Sequence, residues 1–224
     1  MNLSIKFLSI CLVFTLGLSS LAQEKAKRFN FELGGTFNHF EQQIKTKIGG
    51  AKGELLAADT EFGIQMVGTY KIWKFIHAGW YAQYDIGNRE SAQFNGFDST
   101  GATVVVNVLG GGFNEFWTGP LVRAQYKKAF LEFGYGLVGI RNDKARTDLL
   151  NTNGSNVGSL SIDPSVAWLF GIGAQVNMFD NLSLLVKAQY RVRYYNKRDG
   201  LALQNETVHG TQNFSPLIGL NYKF

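Results

Sequence analysis

From residue 28 onward, apolar residues recur at every second position in successive runs. A period of two belongs to β-strands whose two faces meet different surroundings. Phe29, Phe31, Leu33, Gly35 and Phe37 form the first run, and Phe62, Ile64, Met66, Gly68, Tyr70 and Ile72 the second. Six more follow: Ile76 to Ile86, Phe116 to Tyr126, Leu131 to Gly139, Val166 to Met178, Leu182 to Tyr194 and Phe214 to Phe224. None of these alternating positions carries a charge. The opposite face carries Glu32, Glu61, Lys71, Asp85, Glu115, Arg123, Glu132, Lys187, Arg191 and Arg193. Such a chain has two solutions: the apolar face turns into a soluble core, or it turns outward into lipid.

The connections separate the two. Strands two and three are joined near Lys74, four and five by Lys127-Lys128, and six and seven by Phe179-Asp180-Asn181. The connections between them, 41–59, 87–113, 141–163 and 196–210, are long. Strict alternation of short and long puts every tight turn on one rim, as in a membrane barrel. Aromatics mark two levels. Tyr70, Trp73, Phe75, Tyr126, Phe179, Tyr222 and Phe224 lie toward the short turns, and Tyr84, Phe116, Trp168, Tyr190 and Tyr194 toward the other end. The separation is about the nine to eleven residues that a tilted strand needs to cross a bilayer, with aromatic rings at the lipid–water boundaries.

Lipid also demands closure, because unpaired backbone groups find no water there. The fold expected is all-β: a transmembrane antiparallel up-and-down β-barrel of eight strands behind a signal peptide. Residues 103–109 are strand-like and read as a loop extension above the membrane; counting them in the wall leads toward ten strands. Pro120 and Pro216 each remove a ladder donor, so bulges or rim positions are expected there.

The first segment has secretory grammar: Lys6, an apolar stretch from Phe7 to Leu18, then Ser20-Leu21-Ala22. This divides the chain into a signal peptide, 1–22, and a barrel domain, 23–224. The single cysteine, Cys11, lies in the signal, which excludes disulfides and thiolate chemistry from the mature protein. Removing Lys6 from 22 basic residues leaves 21 against 17 acidic, a net charge of +4. Much of the excess sits in Lys25, Lys27, Arg28 and the short turns, with no basic stripe interleaved with aromatics along the chain. Nucleic acid is not an expected partner.

An eight-stranded barrel is just wide enough to be filled by its own side chains. The inward charges, five acidic and five basic, are therefore expected to pair, since an unpaired buried ion is costly. Arg123 and Glu132 are equally distant from the Lys127-Lys128 turn and should form a cross-strand pair. Lys187, Arg191 and Arg193 should meet Glu32 and neighbouring acids across the lumen, with Lys71 in the same network. The competing reading is an ion-selective pore. His39 and His209 fall near the loop-side ends of strands one and eight, and His77 beside a short turn. Neither His39 nor His209 has a diagnostic carboxylate or serine partner, and solvated rim histidines are the commoner case, so no enzyme, cofactor or metal is expected. Gly110-Gly111-Gly112 and Gly171-Ile172-Gly173 lack the context of a phosphate loop.

Taken together, the cleavable signal, the strand number, four long connections and an aromatic carboxy terminus resemble the small outer-membrane barrels of the OmpA/OmpX type. The segment Gly119-Pro120-Leu121-Val122-Arg123, a Lys-rich turn and Phe133-Gly134-Tyr135-Gly136 is similar to barrel domains of Bacteroidetes. The resemblance implies an integral outer-membrane monomer among outer-membrane lipid and lipopolysaccharide, with both termini periplasmic. It also implies that Gly219, Tyr222 and Phe224 act as the signal read by the barrel-assembly machinery, with Leu217 departing from the usual polar residue. The expected role is non-enzymatic, in envelope structure or in surface interaction through the loops. A narrow pore or a lipid-modifying enzyme is the alternative.

Overall fold

The computed structural model describes residues 28–48, 51–89, 92–108, 111–143, 160–198, 201–202 and 210–224. The expected signal peptide, 1–22, lies outside them. The described residues form twelve strands: β1 (Phe29–Ile48), β2 (Ala51–Trp73), β3 (Ile76–Arg89), β4 (Ala92–Phe97), β5 (Thr103–Val108), β6 (Gly111–Tyr126), β7 (Ala129–Gly136), β8 (Val138–Asp143), β9 (Leu160–Asn177), β10 (Leu182–Arg198), β11 (Leu201–Ala202) and β12 (Gly210–Lys223). All pairings are antiparallel. The wall runs β1-β12-β10-β9-β7-β6-β3-β2, and β2 pairs back onto β1. With β8 continuing β7, the sheet closes at eight strands, and every wall strand has two neighbours as hydrocarbon requires.

Residues 103–108 do not join the wall. They form β5, the outer strand of a hairpin whose inner strand, β4, pairs with the upper part of β2 from Lys52↔Phe97 to Leu56↔Gln93. The stretch 41–59, expected as a loop, is mostly strand: β1 and β2 stay in register up to Ile48↔Ala51. A four-stranded ribbon, β1-β2-β4-β5, therefore rises beyond the barrel on the long-connection side.

The alternation seen in sequence sorts the wall into a wet-chemistry face and a dry one. Phe62, Ile64, Ile72, Leu131, Ile172, Phe214 and Ile218 are exposed on the outside, although the burial of apolar area is the main force that folds soluble chains. Glu32, Asp85, Arg123, Lys187 and Gln189 are almost completely enclosed. This inversion of the soluble pattern fits a hydrocarbon solvent around the sheet. Outward polar atoms are satisfied locally: Trp80 Nε1 donates to Thr118 Oγ1 at 2.6 Å, which in turn donates to the Tyr81 carbonyl at 2.7 Å.

Pro120 and Pro216 each fall where a ladder breaks. Between β6 and β7–β8 the register moves by one residue, from Leu121↔Gly134 to Thr118↔Val138. Leu137 N donates to the Thr118 carbonyl, so the backbone groups of Thr118, and by alternation of Pro120, face this strand. The missing donor of Pro120 is thus absorbed by a bulge around Leu137. Gly119 belongs to the same device, since a methyl group there would overlap the Tyr135 carbonyl oxygen. On β12, Phe224 N donates to Phe29 O, so even-numbered residues turn their backbone groups toward β1. The β1–β12 ladder ends at Thr36↔Leu217, immediately before Pro216.

The bulge corrects two sequence expectations. Strand five is not continuous from Leu131 to Gly139, and Gly139 does not face outward with Tyr135. It stands in register with the enclosed Trp117, on the inner side.

Candidate functional site

The enclosed polar interior is the candidate site, and all of its charged members but Arg141 are set by strand parity. Its lower layer, toward the short turns, draws Glu32 from β1, Arg123 from β6, Glu132 from β7 and Lys187 from β10. The Arg123 guanidinium forks onto Glu32, through Nη1–Oε1 and through Nη2–Oε2 at 2.8 Å, while Nη2 also reaches Glu132 Oε2 at 2.6 Å. Lys187 Nζ lies 2.7 Å from Glu32 Oε2 and 3.2 Å from Glu132 Oε1. Two cations and two carboxylates interlock, and fork geometry of this kind is among the stronger hydrogen-bonding arrangements. The Phe130 ring caps the group, its centroid 4.1 Å from Arg123 Cζ.

Amides join this layer to the next. Gln189 Nε2 donates to Glu132 Oε1 at 3.0 Å and to Gln65 Oε1 at 2.9 Å. Gln65 Nε2 donates to Gln83 Oε1 at 2.9 Å, and Gln83 Nε2 to Asp85 Oδ1 at 2.6 Å. Between the layers, Val67, Tyr81, Leu121 and Leu169 pack as a dry cluster, and Phe130, Leu185 and Leu217 form a second on the short-turn side of the lower layer.

The upper layer sets Glu61, Asp85 and Glu115 against Arg141, Arg191 and Arg193. Arg191 reaches Glu61 at 2.8 Å and Asp85 at 3.0 Å, and its Nη2 donates to Ser215 Oγ at 2.6 Å. Arg193 pairs with Asp85, with Glu115 at 2.7 Å and with Glu61 at 3.3 Å. Tyr195 donates to Glu115 Oε1 at 2.8 Å and accepts from Arg141 Nη1 at 3.1 Å. Both layers are formally neutral, which matters because an unbalanced ion in this interior would carry an uncompensated desolvation cost. A cavity beside Tyr81, Gln83, Trp117, Leu169, Arg191 and Arg193 measures about 10 Å³, room for about one water molecule.

Of the residues expected in the network, the structure brings together Glu32, Arg123, Glu132, Lys187, Arg191 and Arg193. Lys71 is a correction. It has inward parity but is exposed, two residues beyond the enclosed Thr69, where the lumen has opened at the short-turn rim. Its place in the count is taken by Arg141, which sequence reasoning put at the start of a long loop. No local signal marks it, because Arg141 shares odd numbering with the outward Tyr135 and turns inward only through the bulge at Leu137.

His39 is exposed on the outer side, with Nδ1 2.9 Å from Thr60 Oγ1. His209 lies outside the described residues. His77 is enclosed near the short-turn mouth, its Nδ1 3.3 Å from Asn30 Nδ2. At the carboxy terminus, Tyr222 and Phe224 stack edge to face at 4.8 Å, and Phe224 lies 5.6 Å from Phe29 on β1. Gly219 sits against Gly34 in the β1–β12 register, and a methyl group there would overlap the Leu33 carbonyl and the Gly34 Cα.

No protein-family model matches the chain, and no curated protein matches it. Among solved structures, Neisserial surface protein A is similar at 14% identity, covering 90% of this chain and 100% of that one, with a TM-score of 0.47. Ail, the attachment invasion locus protein of Yersinia pestis, solved with the heparin analogue sucrose octasulfate, is similar at 13% identity, 89% and 100% coverage and a TM-score of 0.46. The outer membrane protein OprG from Pseudomonas aeruginosa gives 13% identity, 90% and 97% coverage and a TM-score of 0.40.

Proposed function

We propose that this chain is an integral outer-membrane barrel of the OmpA/OmpX type, with a closed lumen, that acts without catalysis through the structures on its long-connection side. The observation that carries the closed lumen is the pair of neutral ion layers, held through the Gln65–Gln83 bridge with room for about one water beside them. A pore needs sites weak enough for an ion to leave, whereas these ten charged groups hold one another. The surface offered for interaction is the β1-β2-β4-β5 ribbon, where Phe97 and Val105 are exposed. In this reading the short turns and both termini face the periplasm, the outer wall meets lipid and lipopolysaccharide, and the chain is a monomer inserted by the barrel-assembly machinery.

Planar-bilayer recording of purified, refolded protein tests the closed lumen. Silence at moderate voltage is expected, and reproducible discrete conductance steps would overturn it. Extracted protein should also migrate differently with and without boiling, as a detergent-resistant barrel does. Protease added to intact cells should cut only on the long-connection side.

A further inference from the structure

The short-turn rim concentrates positive charge. Arg28, Lys71, Lys74, Lys127 and Lys128 are exposed there and Lys223 is half-buried, while Asp180 is the one acidic residue of the three tight turns. Six bases minus one acid is +5, one more than the net +4 that remains once Lys6 is removed. The ion layers of the lumen cancel, so the asymmetry of this molecule is axial.

Folding assembles what the linear sequence scatters. Lys71 N donates to the Arg28 carbonyl at 2.8 Å, and Lys223 stands in register with Asn30, two residues from Arg28. These three bases thus neighbour one another across β12, β1 and β2. Gln125 N donates to the Phe75 carbonyl at 2.7 Å, which brings the turn holding Lys74 beside the turn holding Lys127 and Lys128. The bases form an arc along β12-β1-β2-β3-β6-β7, and Asp180 lies outside it, on the β9–β10 turn.

Depth is marked by aromatics. Lys71 follows Tyr70, Lys74 lies between Trp73 and Phe75, Lys127 follows Tyr126, Lys223 lies between Tyr222 and Phe224, and Arg28 precedes Phe29. Lys127 Nζ is 5.5 Å from the Tyr126 ring centroid. Rings of this kind settle at the boundary between acyl chains and headgroups, so ammonium groups one residue away reach the level of the phosphates.

We infer that this arc is a binding surface for the phosphate groups of anionic phospholipids in the leaflet that contacts the short turns. The inference rests on the membrane-spanning reading and adds to it a lipid class and a leaflet. Each base near an anionic surface contributes an attraction that falls off within a Debye length.

The test uses the full mature chain in vesicles of phosphatidylcholine alone or with a share of phosphatidylglycerol. Spin-labelled lipids report the relative association of each headgroup with the barrel. Phosphatidylglycerol should be preferred by about fivefold at low salt, with most of that preference lost at high salt. The combined variant Lys71→Gln/Lys74→Gln/Lys127→Gln/Lys128→Gln should abolish the preference, the matching Lys→Arg set should keep it, and Lys52→Gln on the far side should leave it unchanged. Equal association of the two lipids with the native chain, or retention of the preference by the glutamine variant, would overturn the inference. So would displacement of the labelled lipid by millimolar inorganic phosphate, which would identify a site for free anions. The heat-dependent gel shift is read on every sample: a folded barrel without lipid preference sinks this inference alone, whereas a native chain that never forms a barrel sinks the membrane-spanning reading.

Discussion

Arg123 and Glu132 stand opposite each other in the β6–β7 register, with Nη2 2.6 Å from Oε2 and neither side chain reaching solvent. Glu132→Ala leaves Arg123 and Lys187 sharing Glu32 alone. The expected loss is about 3–5 kcal/mol, the usual consequence of stranding one member of a buried pair. Arg123→Ala should cost a similar amount, and the double variant less than the sum of the two, because the shared interaction is lost only once. Urea unfolding in lipid vesicles, followed by tryptophan fluorescence and gel mobility, measures all three. Simple additivity would show that the two groups act independently.

Gly119→Ala should destabilise the barrel by about 1–3 kcal/mol, since the new methyl group meets the rigid Tyr135 carbonyl in the bulge. Gly112→Ala is the control, because its nearest neighbour, the Gly87 carbonyl oxygen, would lie at 3.8 Å. A change within about 0.5 kcal/mol is expected there. The same unfolding measurement compares them, and equal effects would remove the bulge as the reason for the glycine.

Asp98, at the tip of the β4–β5 hairpin, accepts hydrogen bonds from Thr100 Oγ1 at 2.6 Å, Thr100 N at 2.8 Å and Ala102 N at 2.9 Å. These donors, the Thr100 hydroxyl first, hold its pKa below the ordinary 3.8. A depressed carboxylate stabilises the turn at pH above its unfolded value, and that contribution is lost as pH falls through the folded one. Carboxyl NMR titration should therefore place the Asp98 transition below 3.8, with faster amide exchange at Thr100 and Ala102 across it. A transition at or above that value would contradict the turn geometry.

Gly219 packs against Gly34, and that contact is separable from the assembly-signal role proposed for it by resemblance. Gly219→Ala should slow folding into vesicles that contain no assembly machinery, because the methyl group obstructs the seam where the last strand meets the first. Unchanged folding there, with a defect confined to cells, would assign the glycine to recognition and not to packing.

The period of two, the absence of charge from one face and the alternation of short and long connections determined the barrel from the sequence alone. They are legible because side-chain direction along a strand is a local property of the backbone, and because hydrocarbon rejects charge whatever the neighbours are. The Arg123–Glu132 pair was equally legible, since a tight hairpin fixes its own register. Tertiary structure decided the rest. Glu32 meets Arg123 across 91 residues of sequence, through a closure and stagger of the sheet that no local pattern encodes. Lys71 has the right parity but lies beyond the enclosed lumen. Arg141 has the parity of a lipid-facing residue and enters the ion layer only because Pro120, on the neighbouring strand, lacks a donor and the ladder moves by one residue opposite it. A one-residue shift exchanges the two faces of a strand, so the side on which a charge lies depends on pairing between strands as well as on its position along its own.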